Sequence, residues 1–288
     1  MALTGIYGSL SRDEAIALVR HALEMGVVHF DTAELYGPYV NEELLAEALG
    51  PRRHDVVIAT KFGYRIEQGK IVGRDSTPSN IRRAVDGSLR RLRRDWIDIL
   101  YQHRQDPAVP VEDVVGVMSD LVLEGKVRAL GLCAVNGELL DRARKIASIA
   151  YVQNEYSLIR RPTELASPQG LDRATTMFVC YSPLCRGILS GKTYQTADPT
   201  DYRQSDARFA ADRHLAVQDE LGPLWEIASH NATSPAAVAL AWLLALGPSV
   251  HVIPGPKTIE QLKACLSAVE LSLSDSDLSQ LSNLPISH

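Results

Sequence analysis

The sequence predicts an α/β fold, a TIM-type (β/α)8 barrel of parallel strands, and three observations carry that expectation. Short apolar runs alternate with longer amphipathic ones along the chain, the order expected of parallel strands joined by right-handed helical crossovers. Runs such as Val56-Val57-Ile58-Ala59 are apolar without alternation, as in a sheet covered on both faces. Strand after strand then ends in a polar or reactive residue: Asp31, Lys61, His103 and Gln153. In a closed barrel those ends converge on one mouth. The competing closure is a doubly wound open sheet, and its dinucleotide fingerprint is missing, because no G-x-G-x-x-G follows the first strand.

The strands are expected over residues 27–32, 56–61, 97–103, 127–133, 150–156, 177–183 and 250–255, which are short and rich in Val, Ile, Tyr and Phe. Helix starts fall between them. Ser11 with Glu14, and Thr258 with Gln261, follow the capping-box pattern. Thr77-Pro78 and Ser234-Pro235 each set a cap residue before a proline at the first helical position. The stretch 184–214 has neither period and carries Gly187, Gly191 and Pro199. A loop of that length reads as a lid or cofactor loop over the mouth.

The bulk properties bound the function. The 288 residues suit one barrel domain, 1–288. Apolar residues make up 45% and charged residues 23%, enough to bury a core without metals or disulfides. A net charge of −5 and no basic block argue against a nucleic-acid partner. Arg82, Arg83, Arg90, Arg91, Arg93 and Arg94 lie on one predicted helix and read as a solvated face. No run of uncharged apolar residues is long enough for a membrane span. Charges at Arg12, Asp13, Glu14, Arg20 and Glu24 break up any signal-peptide core. Cys133, Cys180, Cys185 and Cys265 form no C-x-x-C and no zinc spacing. They read as reduced thiols of a cytoplasmic protein without a metal.

The chemistry gathers at the strand ends. Asp31 ends one strand and Tyr36 follows in its loop; Lys61 ends the next, and His103 the one after. Each alone has a bland structural reading, but neighbouring barrel strands bring all four together. A carbonyl that accepts a hydride becomes an alkoxide and needs a proton. A phenol ordinarily holds its proton until about pH 10, and a nearby ammonium is expected to lower that value. Tyr36 is then the general acid, Lys61 its tuner, Asp31 the anchor of the ammonium, and His103 the donor that orients the substrate oxygen.

These residues carry a resemblance. Asp31-Thr-Ala-Glu-Leu-Tyr36-Gly37 with Asn41-Glu42 resembles the D-T-A-x-x-Y-G…N-E segment of aldo-keto reductases. Ala59-Thr60-Lys61-Phe62-Gly63, Tyr101-Gln102-His103-Arg104, Tyr181-Ser182-Pro183-Leu184 with Gly187, and Ile253-Pro254-Gly255 with Gln261-Leu262 extend it from near the start to about residue 285. The Tyr-Gln-His-Arg and Tyr-Ser-Pro-Leu forms are similar to the branch holding aryl-alcohol dehydrogenase-like enzymes, pyridoxal reductases and potassium-channel β subunits. The resemblance implies reduction of a small aldehyde or ketone, in a single chain or a homo-oligomer, with NADP(H) extended across the barrel mouth. Tyr181 would stack on the nicotinamide and Gln153 would bond its carboxamide. Ser182, Leu184, Arg186 and Gly187 would wrap the pyrophosphate. Gly255, Lys257 and Gln261 would meet the adenosine end, with Lys257 beside a helix start that favours its 2′-phosphate.

Three departures qualify that expectation. Cys133-Ala134 stands where the family sets a serine and a second polar residue, and a thiol is a weaker hydrogen-bond partner. Ala264 and Cys265 replace a Glu and an Asn at the adenine end. Residues 1–5 are similar to the loop after the first barrel strand, so that strand and the hairpin before it are expected to be absent, leaving seven strands and a gap or a substitute. The first two departures favour, as the alternative to an enzyme, a catalytically weak nucleotide-binding sensor or regulatory subunit on the same fold.

Overall fold

The computed structural model describes residues 3–4, 10–191, 201–209, 217 and 219–284. Helix α1 (Arg12–Glu24) opens with the expected capping box, in which Ser11 and Glu14 bond each other's backbone N–H. It leads to β1 (His29–Asp31), α2 (Val40–Leu49) and β2 (Val57–Phe62). An antiparallel hairpin, β3 (Tyr64–Glu67) and β4 (Lys70–Arg74), follows. Next come α3 (Pro78–Leu92), β5 (Ile97–Gln102), α4 (Val111–Leu123), β6 (Val127–Cys133), α5 (Gly137–Arg144), β7 (Tyr151–Glu155) and β8 (Met177–Tyr181). The chain ends with α6 (Gly222–His230), α7 (Pro235–Leu244), β9 (Val250–Val252), α8 (Ile259–Leu266) and α9 (Asp275–Ser282).

Among the described residues, seven strands form one parallel sheet in the order β1-β2-β5-β6-β7-β8-β9, so the expected parallel α/β architecture is observed. The sheet is curled. Gln153 on β7 donates to Asp31 on β1 at 2.8 Å, although three strands separate them in the hydrogen-bonded order. Such a bond is possible only across a barrel interior. The two edge strands also approach each other, with the rings of His29 and His251 6.3 Å apart.

The packing follows the sequence pattern. The largest apolar cluster lies between the sheet and its outer helices; it includes Phe62, Ile81, Leu100, Val115, Met118 and Leu240. Inside the curl, Ala59, Ile99, Tyr101 and Cys133 form a small inner core. Tyr101 fits there because Gly131 has no side chain: a Cβ would lie 2.4 Å from the ring. Ser234 caps α7 as expected; Thr258 caps α8, but the box is not completed, because the Gln261 side chain accepts from the Lys257 N–H instead. Thr77 precedes α3 with proline at the first turn, but its side chain makes no cap bond; it bonds Asp75 instead.

Two expectations need correction. The hairpin was not foreseen, because Tyr64–Arg74 lacks a strong two-residue turn signal; Gln68 and Gly69 nonetheless both take positive φ, 49° and 73°, as a tight hairpin requires. The basic stretch is not a uniformly solvated face. Arg82 is exposed and pairs with Glu124, but Arg91 bonds the buried Glu42 at 2.6 Å and Arg94 bonds Asp98 at 2.7 Å in a buried pair. Glu42 comes from the distant α2, and Asp98, though only four residues from Arg94, comes from β5 beyond the end of the helix. Of the stretch 184–214, residues 185–190, 202–205 and 207–209 form short 3-10 turns, while 192–200 and 210–214 lie outside the described residues. No helix among the described residues is long and apolar enough to cross a membrane.

Candidate active site

Strand register sets the site. Asp31 pairs with Ala59, Lys61 with Tyr101, and Phe62 with Gln102. The ladder continues past the strands, with the Thr32 N–H donating to Ala59 O at 2.8 Å and the His103 N–H to Phe62 O at 2.8 Å. The Glu34 N–H reaches Lys61 O at 3.3 Å, which ties the loop carrying Tyr36 to the end of β2. Asp31, Lys61 and His103 therefore end at one level of the mouth.

The four expected catalytic residues meet. Lys61 has no exposed side-chain surface; it donates to the Asp31 carboxylate and, at 2.8 Å, to Thr32 O. Its Nζ lies 5.2 Å from the centre of the Tyr36 ring. The Tyr36 and His103 rings stand edge to face at 5.9 Å. Gln153 is also part of this group, since its amide donates to the second oxygen of Asp31.

The electrostatics follow from burial and pairing. Burial would raise Asp31 and lower Lys61, but their mutual attraction wins, so Asp31 falls below the usual carboxylate range and Lys61 rises above the usual lysine range. The pair is ionised. Burial, joined by the charges of Lys61 and Arg104, pushes His103 far below the usual imidazole range, so it is neutral at physiological pH. Its Nδ1 is buried without a hydrogen-bond partner. Tyr36 corrects the sequence expectation: its pKa is raised, not lowered. Burial of the phenolate outweighs the opposing attraction of Lys61. A protonated phenol is still what an acid needs, because an alkoxide is a stronger base than a phenolate.

Three neighbours escaped the sequence reading. Tyr64, on the unforeseen hairpin, packs edge to face on His103 at 5.3 Å. Arg104 lies beside His103 and reaches Tyr181, with its guanidinium 5.5 Å from that ring's centre. Glu34 is 1% exposed, and neither carboxylate oxygen accepts a well-aligned hydrogen bond. Burial pushes its carboxyl up to about 7, against the pull of Arg83 and with the push of Glu42. Arg104 stands inside the quoted Tyr-Gln-His-Arg run, so a charge beside His103 was the available signal; Glu34 had none.

The expected cofactor residues divide into three groups. Cys133 and Gln153 are buried inside the curl, and burial pushes the Cys133 thiol up to about 12. Tyr181, Ser182, Leu184, Arg186 and Gly187 follow one another along the rim after β8. There Ser182, Cys185, Arg186 and Gly187 take positive φ of 50°, 48°, 58° and 105°. The loop is tightly wound there, with the Cys185 N–H donating to Ser182 O at 2.8 Å and the Gly187 N–H to Leu184 O at 2.9 Å. The Arg186 side chain pairs with Asp206. Gly255, Lys257 and Gln261 sit apart, around the start of α8, where the Gln261 side chain accepts the Lys257 N–H at 2.7 Å.

A curled parallel sheet, a buried Asp–Lys pair under a tyrosine, and a neutral histidine beside it define a barrel built for polar chemistry at its mouth. Residues 1–285 match the model of the aldo/keto reductase family, and the protein belongs to that family, which places it among the oxidoreductases. It is 37% identical over 291 residues to "Aldo-keto reductase str7" of Strobilurus tenacellus, across 98% of this chain and 84% of the relative. It is 32% identical to "Aldo-keto reductase yakc [NADP(+)]" of Schizosaccharomyces pombe, across 98% and 85%. Among solved structures, the glycerol dehydrogenase AKR11B4 from Gluconobacter oxydans superposes with a TM-score of 0.86 at 28% identity, covering 98% of this chain and 88% of that one.

Proposed function

We propose that the protein reduces a small aldehyde or ketone to an alcohol with NADPH, and that Tyr36 is the proton donor. The observation that carries the reading is the fully buried Asp31–Lys61 pair set beneath Tyr36, with neutral His103 against the same ring. A relative whose name includes NADP(+) supports the choice of nucleotide.

The residues fit the nucleotide. The rim loop, wound through positive φ at Ser182, Cys185, Arg186 and Gly187, suits a pyrophosphate, the Tyr181 ring offers a stacking surface, and Lys257 adds a charge near a helix start for the 2′-phosphate. When bound, NADPH supplies the hydride that reduces the carbonyl carbon. Tyr36 and a His103 N–H bond the carbonyl oxygen and hold it in place. As negative charge grows there, Tyr36 releases its proton to the oxygen. Lys61 stabilises the phenolate left behind, Asp31 keeps Lys61 charged and still, and solvent returns the proton. Every donor is set before reaction, so little reorganisation is needed. The absence of a membrane-scale apolar helix among the described residues is compatible with a cytoplasmic setting.

Fluorescence titration with NADPH and NADH, followed by turnover of simple aldehydes, tests the reading. Micromolar NADPH binding with weaker NADH binding, and aldehyde-dependent NADPH oxidation, are expected. Nucleotide binding without turnover of any carbonyl would favour the sensor alternative.

A further inference from the structure

Arg104 is the cation at the mouth that the chemistry above leaves without a task. Its position follows from the sheet order. His103 and Arg104 follow β5, while Tyr181 ends β8, and β6 and β7 lie between them. Arg104 nonetheless places a guanidinium N–H 3.4 Å from the Tyr181 hydroxyl and its central carbon 5.5 Å from the ring centre. A side chain that joins those two ends must cross the mouth. A second N–H bonds His103 O at 2.6 Å and fixes the stem. The guanidinium has five N–H donors, so several remain for a ligand.

The surrounding charges are already matched. Asp31 belongs to Lys61, Glu155 to Arg208, and Asp206 to Arg186 and Arg208. Among the described residues no carboxylate pairs with Arg104. The groups that act most on it are Tyr181, Tyr64, Cys133 and Tyr36, none of them a carboxylate. A partly buried guanidinium without a counter-ion is unusual, and a planar carboxylate matches its fork.

We infer that Arg104 selects carbonyl substrates that carry a carboxylate, holding that group between Tyr64 and Tyr181 while the carbonyl meets Tyr36 and His103. This rests on the reductase reading. Three tyrosine rings at the mouth, Tyr181 against the guanidinium and Tyr36 and Tyr64 against His103, also favour a flat, unsaturated substrate body.

The test compares 4-carboxybenzaldehyde with its methyl ester. The ester withdraws electrons more strongly, so intrinsic reactivity favours it; a preference for the acid must come from the protein. The expected preference in kcat/KM is about 10–100-fold, the size of one charge-assisted hydrogen bond. Arg104→Gln should bring the acid-to-ester ratio near one, and Arg104→Lys should retain part of the preference. If both aldehydes are reduced with a ratio that Arg104→Gln does not change, the inference is overturned and the reductase reading stands. If neither is reduced, titration with benzoate decides. Benzoate binding lost in Arg104→Gln would support the anion site and sink the reductase reading. Benzoate binding that ignores the substitution, or no binding, would overturn both.

Discussion

The two sides of the barrel mouth are built on different principles. The side formed by β1, β2 and β5 holds its chemistry in side chains. Asp31, Lys61 and His103 are buried at strand ends and locked by strand register, by each other and by Gln153. The side after β8 and β9 holds its chemistry in backbone and loop. Its residues are partly exposed, four residues between Ser182 and Gly187 take positive φ, and its Arg186 is tied to a neighbouring turn through Asp206. One side is rigid by packing and therefore expensive to alter. The other is shaped by conformation and therefore tolerant of side-chain change. The departures only partly follow that division: the tetrad is intact and Ala264 and Cys265 fall on the loop side, but Cys133 is buried inside the curl.

Substitutions should separate the two sides, and the largest effect is expected at Lys61. Lys61→Met leaves Asp31 as an unpaired buried charge, so stability should fall by about 3–5 kcal/mol. Turnover should fall by a factor on the order of 10²–10⁴, the usual worth of a general-acid system. Urea unfolding and steady-state NADPH oxidation check both. A folded variant of unchanged stability would mean that the pair is not buried as described.

Glu34 comes next, and its sign is opposite. Its carboxyl titrates near 7 in the folded protein against an ordinary 4.5. Between those values the folded state holds a proton that the unfolded state has released, so stability falls as pH rises from about 4.5 to about 7. The full penalty above pH 7 is about 3 kcal/mol, at roughly 1.4 kcal/mol per pH unit. Glu34→Gln should raise the unfolding free energy at pH 8 and leave it nearly unchanged at pH 4.5. Equal effects at both pH values would show that the gain is not electrostatic.

Gly131→Ala is smaller. The added methyl would meet the Tyr101 ring at 2.4 Å, and overpacking of this kind costs about 1–3 kcal/mol. Denaturant midpoints report it. The smallest effect belongs to the loop side: Lys257→Ala should weaken NADPH by about tenfold or less, one 1.4 kcal/mol step, and leave NADH unchanged. An equal loss for both nucleotides would remove the 2′-phosphate from its role.

The same division governed what the sequence made legible. Apolar runs, cap residues and polar strand ends located all seven strands of the sheet and brought Asp31, Tyr36, Lys61 and His103 to one mouth, because strand ends in a parallel barrel share one direction. The hairpin at Tyr64–Arg74 escaped because its turn is Gln-Gly and its second strand is exposed throughout. The pairing of Arg91 escaped because Glu42 is distant in sequence, and that of Arg94 because Asp98, only four residues on, belongs to the next strand and not to the helix. The direction of the Tyr36 shift was misjudged, since proximity to Lys61 is visible in the sequence pattern but the depth of burial is not. Arg104 and Glu34 required coordinates for the same reason.

The most direct test of the central claim is the Tyr36→Phe variant, measured for NADPH affinity by fluorescence and for aldehyde reduction in the same preparation. The phenyl ring keeps the packing against His103 and Lys61 and removes only the hydroxyl. The account predicts unchanged NADPH affinity with turnover lowered by about 10²–10⁴-fold. Turnover close to that of the unaltered protein would contradict it, and would assign the proton to another group at the mouth.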